Sequence, residues 1–224
     1  MATPIVIAID GPAGAGKSTV GRRLAERLGL AYLDTGAMYR AMTFAALRRG
    51  VPDSDPGAIA AMAPEVDLLV ENGCVTVDGV DATVAIRGRD VTDAVSRIAA
   101  NPTVRDVLVA RQRRWVDERG GAVVEGRDIG TVVFPDARLK VFVTASPRVR
   151  AERRVREIGG DVADVERSII IRDRLDAERE HSPLAVAGDA VAGDTTDLSI
   201  DAVVETVLGL LADIDADVDA EGER

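Results

Sequence analysis

The sequence predicts a three-layer α/β fold, a parallel sheet between helices, interrupted once by a small antiparallel insertion. Three observations carry that expectation. Short apolar runs alternate with amphipathic helical stretches along most of the chain. The first run, residues 4–10 (PIVIAID), passes directly into a glycine-rich turn that opens a helix. One segment, residues 66–86, breaks the pattern: Asn72-Gly73 and Asp78-Gly79 stand between β-branched residues and read as type I′ hairpin turns.

The elements follow in order. Residues 4–10 are a continuous apolar run, as expected of a parallel strand covered on both faces. Val20, Leu24 and Leu28 recur at four-residue steps with arginines elsewhere, so 16–28 is an amphipathic helix that Gly29 ends. Residues 30–34 are a second strand and 36–49 a second helix. A loop around Pro52 and Pro56 leads into a helical stretch ending near 64. Residues 66–86 form a three-strand meander, placed in an insertion at 62–100. The core resumes with a helix at 103–119, strands at 122–125 and 139–145, helices at 147–158 and 162–180, a weak strand at 189–194 and an amphipathic helix at 199–213. The acidic tail 214–224 reads as disordered. The domain reading is therefore a core at 1–61 and 101–213, with the insertion at 62–100 between its parts.

Composition narrows the function. Of 224 residues, 46% are apolar and 3% aromatic, so the core is aliphatic. The formal net charge of -10 argues against a binder of long nucleic acid, which presents a basic face. Lys17 and Lys140 are the only lysines; every other basic side chain apart from one histidine is an arginine. A single cysteine, Cys74, forms no intrachain disulfide and suits a reducing compartment. No apolar run reaches the roughly 18 residues of a membrane span. A cytoplasmic monomer without a membrane partner is the expectation.

Residues 11–18 read GPAGAGKS, a full G-x-x-x-x-G-K-[ST] phosphate loop between a buried strand and a helix. Gly11, Gly14 and Gly16 let the backbone turn its N–H groups inward onto phosphate oxygens, at the positive end of the helix. The candidate ATP-binding residues are Gly11, Pro12, Ala13, Gly14, Ala15, Gly16, Lys17, Ser18 and Thr19. Lys17 reaches the β and γ phosphates, and the Ser18 hydroxyl is the candidate Mg²⁺ ligand. A switch GTPase needs an N/T-K-x-D base-reading motif, which this chain lacks. Glu125 closes the strand at 122–125, where a Walker B acid would stand, so that test leaves a motor open. The supply of arginines beyond the loop favours a kinase, because phosphoryl transfer needs positioning and charge neutralisation.

Four further segments join the loop: LDTGAMYRA (33–41), EGRDIGTVVFPDA (125–137), RDRLDAERE (172–180) and GDTTDLSI (193–200). With the P-loop they closely resemble the bacterial cytidylate kinases, of the nucleoside monophosphate kinase group, over nearly the whole chain. The resemblance implies a P-loop kinase that phosphorylates CMP and dCMP from ATP with Mg²⁺, with an enlarged acceptor-binding insertion and a short lid at about 148–162. It implies that Arg40 and Arg127 hold the acceptor phosphate and that Thr35 meets the acceptor. Ser96 and Arg105 would read the cytosine ring. Arg172 and Asp176 would meet sugar and phosphate, and Arg179 the base. Asp128 would bind the acceptor, orient Arg127 or help order Mg²⁺ through water. Of the lid arginines, Arg150 and Arg154 share a helix face and are the pair expected at the transferred phosphoryl, with Arg153 beside it. Residues 193–197 would cradle the donor adenine. The rival readings are a P-loop kinase for another acceptor and a nucleotide switch without acceptor chemistry.

His181, the single histidine, has no Cys/His cluster in its sequence neighbourhood and is expected at a surface. Cys74 and Trp115 are expected to pack in the interior.

Overall fold

The computed structural model describes residues 4–71 and 73–222. Along the chain come β1 (Ile5–Asp10), α1 (Lys17–Leu28), β2 (Ala31–Asp34), α2 (Thr35–Arg48) and α3 (Pro56–Met62). Then follow β3 (Leu68–Glu71), β4 (Cys74–Val77), β5 (Val80–Asp81), α4 (Arg89–Ile98) and α5 (Pro102–Asp117). The last part holds β6 (Gly121–Gly126), β7 (Leu139–Thr144), α6 (Pro147–Ile158), α7 (Val162–Ala177), β8 (Val191–Asp194) and α8 (Ile200–Gly222).

Five strands form a wholly parallel sheet in the order β2-β6-β1-β7-β8. Every residue of β6, and all of β1 after Ile5, is buried, which explains why these strands are continuous apolar runs with no alternation. The sheet separates two apolar clusters. Val6, Ala8, Leu33, Ala122 and Val124 pack on one face with α2 and α5. Ile7, Ile9, Val123, Val141 and Val143 pack on the other with α1 and α8. The register sets Asp34 opposite Glu125 and Asp10 opposite Gly126, so the carboxyl ends of β1, β2 and β6 meet at one edge. That edge is where open α/β sheets bind ligands.

The meander at 66–86 is present as a three-strand antiparallel sheet, β3-β4-β5. Asp78 and Gly79 both take left-handed backbone angles (φ 49° and 74°), as a type I′ turn requires. In the other turn Gly73 is left-handed and Asn72 lies outside the described residues. This small sheet has no core of its own: Val75, Val77, Ala82 and Ile86 join the cluster around Met38 and Met42 of α2.

The structure corrects several expectations. The segment 214–222 is helical, because α8 continues to Gly222, with Ile214 extending the apolar stripe of Val207 and Leu211. The 162–180 helix ends at Ala177, and the chain then folds back so that the Leu184 amide donates to the Asp176 carbonyl at 2.8 Å. Arg179 therefore leaves from a loop. The stretch after β6 coils as a π-helical turn over 129–133, held by the Asp10 carboxylate, which accepts from the amides of Ile129 (2.8 Å) and Gly130 (2.7 Å). Cys74 is exposed, since the β4 alternation turns Val75 and Val77 inward and Cys74 out. Trp115 is only partly buried; its indole donates to the Val70 carbonyl at 3.2 Å, and Arg119 lies 4.0 Å over its ring.

The sharpest constraint falls at Gly11, whose φ is 146° and whose added Cβ would lie 1.9 Å from the Val143 carbonyl oxygen. Gly11→Ala must move backbone of β7 or of the loop, so it is expected to cost at least about 2 kcal/mol. Thermal denaturation will show this as a drop of several degrees, and an unchanged melting temperature would contradict the packing described.

Candidate active site

The donor half is built where β1 runs into α1. Gly16 caps α1 in a left-handed conformation (φ 93°), which starts the helix with its amides facing the loop interior. Lys17 is buried, and its ammonium donates to the Pro12 carbonyl at 2.8 Å, so the lysine folds back across the loop it serves. Burial, and then the nearby charge of Arg127, pull its pKa down to about 7, against the opposing pull of Glu125, Asp34 and Asp10. Ser18 and Thr19 are exposed at the mouth of the loop. The Ser18 hydroxyl donates to a Glu125 carboxylate oxygen at 2.7 Å.

Glu125 is the residue the sequence reading left out of its site. It is 4% exposed at the end of β6, and burial, followed by the charge of Asp34, pushes its pKa up to about 7. Its second oxygen, Oε2, is buried, and the Tyr32 hydroxyl bears on the same carboxylate. The available signal was an acid closing a buried strand at the sheet's carboxyl edge.

The acceptor half gathers guanidiniums from four elements. Arg40 of α2 donates to the Thr92 hydroxyl at 3.0 Å and to the Ile86 carbonyl at 3.4 Å. Its pKa is lowered to about 10 by burial and then by Arg154, with Arg87 and Arg127 adding to the effect. Arg127, just past β6, donates from Nε to Asp176 at 3.0 Å. Arg179 pairs with the other oxygen of the same carboxylate. Arg172 is lowered to about 9 by burial, then by Arg127 and Arg40. Asp176 itself is 1% exposed; burial alone would raise its pKa, but Arg127, Arg179 and Arg172 together hold it below the usual carboxylate value.

The remaining predicted residues take more specific places. Asp128 and Arg105 are both buried and pair with each other, and Arg105 also donates to the Ala99 carbonyl at 3.3 Å and lies 5.4 Å from the Tyr39 ring centroid. Ser96 is half-buried on α4, four residues after Thr92 and so on the side that holds Arg40. The buried Thr35 hydroxyl donates to the Glu125 carbonyl at 2.6 Å, tying the start of α2 to the end of β6.

The lid arginines divide by position. Arg150 is 3% exposed and clamped under the P-loop: it donates to the carbonyls of Ala145 (2.8 Å) and Ala13 (3.1 Å) and pairs with Asp173 at 2.6 Å. Arg154 pairs with Glu157 at 3.0 Å, and its charge is felt at Arg40, on the acceptor side. Arg153 instead bonds Thr195, beside the P-loop.

A phosphate loop facing a cluster of half-buried guanidiniums across the carboxyl edge of a parallel sheet defines a P-loop phosphotransferase, in the arrangement of a nucleoside monophosphate kinase. Comparison with known proteins narrows this further. The profile of the family described as cytidylate kinase matches residues 7–213. The chain is 49% identical over 223 residues to a cytidylate kinase of Nocardia farcinica, covering 94% of both chains. It is 48% identical over 216 residues to a cytidylate kinase of Geobacillus kaustophilus, covering 92% of this chain and 96% of the relative. The chain belongs to the cytidylate kinase family. Among solved structures, a gluconokinase from Sinorhizobium meliloti matches 99% of both chains with a TM-score of 0.53 at 17% identity, a likeness of fold.

Glu125 offers a test with a sign. Its folded pKa lies above its value in an unfolded chain, so ionising it in place costs stability as pH rises from about 4.5 to about 7. Glu125→Gln removes that cost but keeps an acceptor for Ser18. The ligand-free variant is expected to melt higher than the parent at pH 8 and level with it near pH 4.5, as differential scanning calorimetry at both pH values will show.

Proposed function

We propose that this protein transfers the γ-phosphoryl of ATP to CMP and dCMP, giving ADP and CDP or dCDP. The observation that carries the proposal is the position of Arg127. It lies two residues past Glu125, which bonds Ser18 of the donor loop at 2.7 Å, and it donates to Asp176 of α7 at 3.0 Å. It therefore stands between the donor phosphates and the acceptor phosphate, where negative charge collects during transfer.

Each residue then has a task. The loop amides of residues 11–19 and Lys17 hold the donor phosphates. Phosphate binding reverses the electrostatics at Lys17, drawing its pKa back up and fixing the ammonium in its charged form. Arg40, Arg127 and Arg172 take the acceptor phosphate, whose charge relieves their mutual repulsion. The acceptor oxygen is already an oxyanion, so the reaction needs no general base. Asp176 and Arg179 meet the sugar and base, Ser96 and Arg105 the cytosine ring, and Asp128, paired with Arg105, binds the acceptor beside them. Arg154, on the acceptor side, completes the cradle when the lid closes, and closure excludes water that would otherwise take the phosphoryl.

The hard oxygens of Ser18 and Glu125, 2.7 Å apart, fit Mg²⁺, which takes few protein ligands and keeps water and phosphate oxygens. Ser18 and Glu125 would hold Mg²⁺ there, and its charge would offset that of the donor phosphates. A monomer in a reducing cytoplasm completes the reading; the single cysteine of the chain suits such a compartment. No helix among the described residues is long and apolar enough to cross a membrane.

ADP release from ATP·Mg²⁺ with CMP, dCMP, UMP, AMP, GMP or no acceptor tests the proposal. Strong stimulation by CMP and dCMP, weak stimulation by UMP and none by purines is expected; a purine preference would overturn the base-reading assignments. Lys17→Ala should lower kcat by at least about 10²–10³, the loss typical of one oxyanion donor.

A further inference from the structure

Arg153 is the lid arginine that sequence spacing passed over, and its bonds are unlike those of its neighbours. One guanidinium nitrogen donates to the Thr195 carbonyl at 2.8 Å, and the other to the Thr195 hydroxyl at 3.3 Å. Thr195 is 3% exposed and is itself pinned: its amide donates to the Thr144 carbonyl at 2.8 Å, and its hydroxyl lies 3.0 Å from that carbonyl and 3.3 Å from the carbonyl of Ala15 in the P-loop. A Cβ on Gly16 would lie 3.8 Å from Arg153 Nη1 and 3.6 Å from Ile200 Cδ1. Three segments therefore converge on one side chain: the lid helix α6, the loop joining β8 to α8, and the donor end of the P-loop.

This contact joins parts that otherwise have separate supports. The loop after β8 is held locally by Asp194, whose carboxylate accepts from the Thr196 amide at 2.8 Å and hydroxyl at 2.6 Å, and Thr196 accepts from the Ser146 amide at 3.0 Å. Nothing in that local set depends on the body of the lid helix. The two-point bond from Arg153 does, and a planar fork is the group suited to grip one residue at two atoms. We infer that Arg153 is a positioning residue of the donor site: it fixes the 194–199 loop against the P-loop, so that the wall receiving the donor base is set by the lid helix. The inference rests on the kinase reading above and adds which substrate this arginine serves. Arg154 serves the acceptor, Arg150 braces the loop from below, and Arg153 serves the donor.

Steady-state kinetics on the full chain test it, using the parent, Arg153→Ala and Arg153→Lys, with melting temperatures recorded for all three. Arg153→Ala should raise KM for ATP about tenfold, the scale of one lost charge-assisted contact, and leave KM for CMP within about twofold. The preference for ATP over GTP as donor should shrink in the same variant. Arg153→Lys restores charge without the two-point fork and should recover part of both effects; it also serves if the alanine variant fails to fold. An unchanged KM for ATP in either variant, or equal rises in KM for ATP and CMP, overturns the inference. A parent enzyme that releases no CMP-dependent ADP sinks the kinase reading instead, so the two failures are distinguishable.

Discussion

The ion pair between Arg127 and Asp176 holds the arginine cluster beyond β6 together. Arg40, Arg127, Arg172 and Arg179 come from different elements, and burial sets their charges against one another. Asp176 accepts from Arg127 and Arg179 on its two oxygens and draws α7 over the end of β6. A buried ion pair is a poor source of stability, since desolvation takes back much of the attraction. Asp34 and Asp128 also face these guanidiniums, but Asp128 is taken by Arg105, so positive charge remains in surplus. On the proposed reading a phosphate would neutralise that surplus, and the ion pair keeps it in register.

The end of β6 distributes the rest. Glu125 turns to Ser18 and the donor loop. Gly126 leaves space that a Cβ would lose to Ile129 and the Thr35 hydroxyl. Arg127 turns to Asp176, and Asp128 to Arg105. Under the proposed roles, Glu125 thus serves the donor side, and Arg127 and Asp128 the acceptor side. The strand can do this because it is central and buried on both faces, with β1 and β2 fixing its register on either side.

What the sequence made legible was whatever rests on local chemistry. The phosphate loop needs its glycines, Lys17 and Ser18 within eight positions, and the Asp78-Gly79 turn needs two neighbours with positive φ. Long-range partners were harder. Glu125 was visible as an acid closing a strand, but its partner Ser18 lies 107 positions away. Arg172 and Asp176 sit four apart, which suggests an intrahelical pair, yet the Asp176 carboxylate is taken by Arg127 and Arg179. The lid arginines differ by which neighbours pack against α6, and helical spacing cannot order Arg150 against Arg153. Cys74 heads a strand of four residues, too short for its alternation to declare which side is buried.

The sheet that keeps the two apolar clusters apart has an evolutionary consequence. Under the proposed roles, the donor residues ride mainly on α1 and the loop before α8, over one cluster, and the acceptor residues of α2, α4 and α5 over the other. Drift in one layer therefore leaves the opposite layer's packing intact. A lineage can trade one acceptor for another by rewriting a single face of the sheet, inheriting its nucleotide engine unchanged.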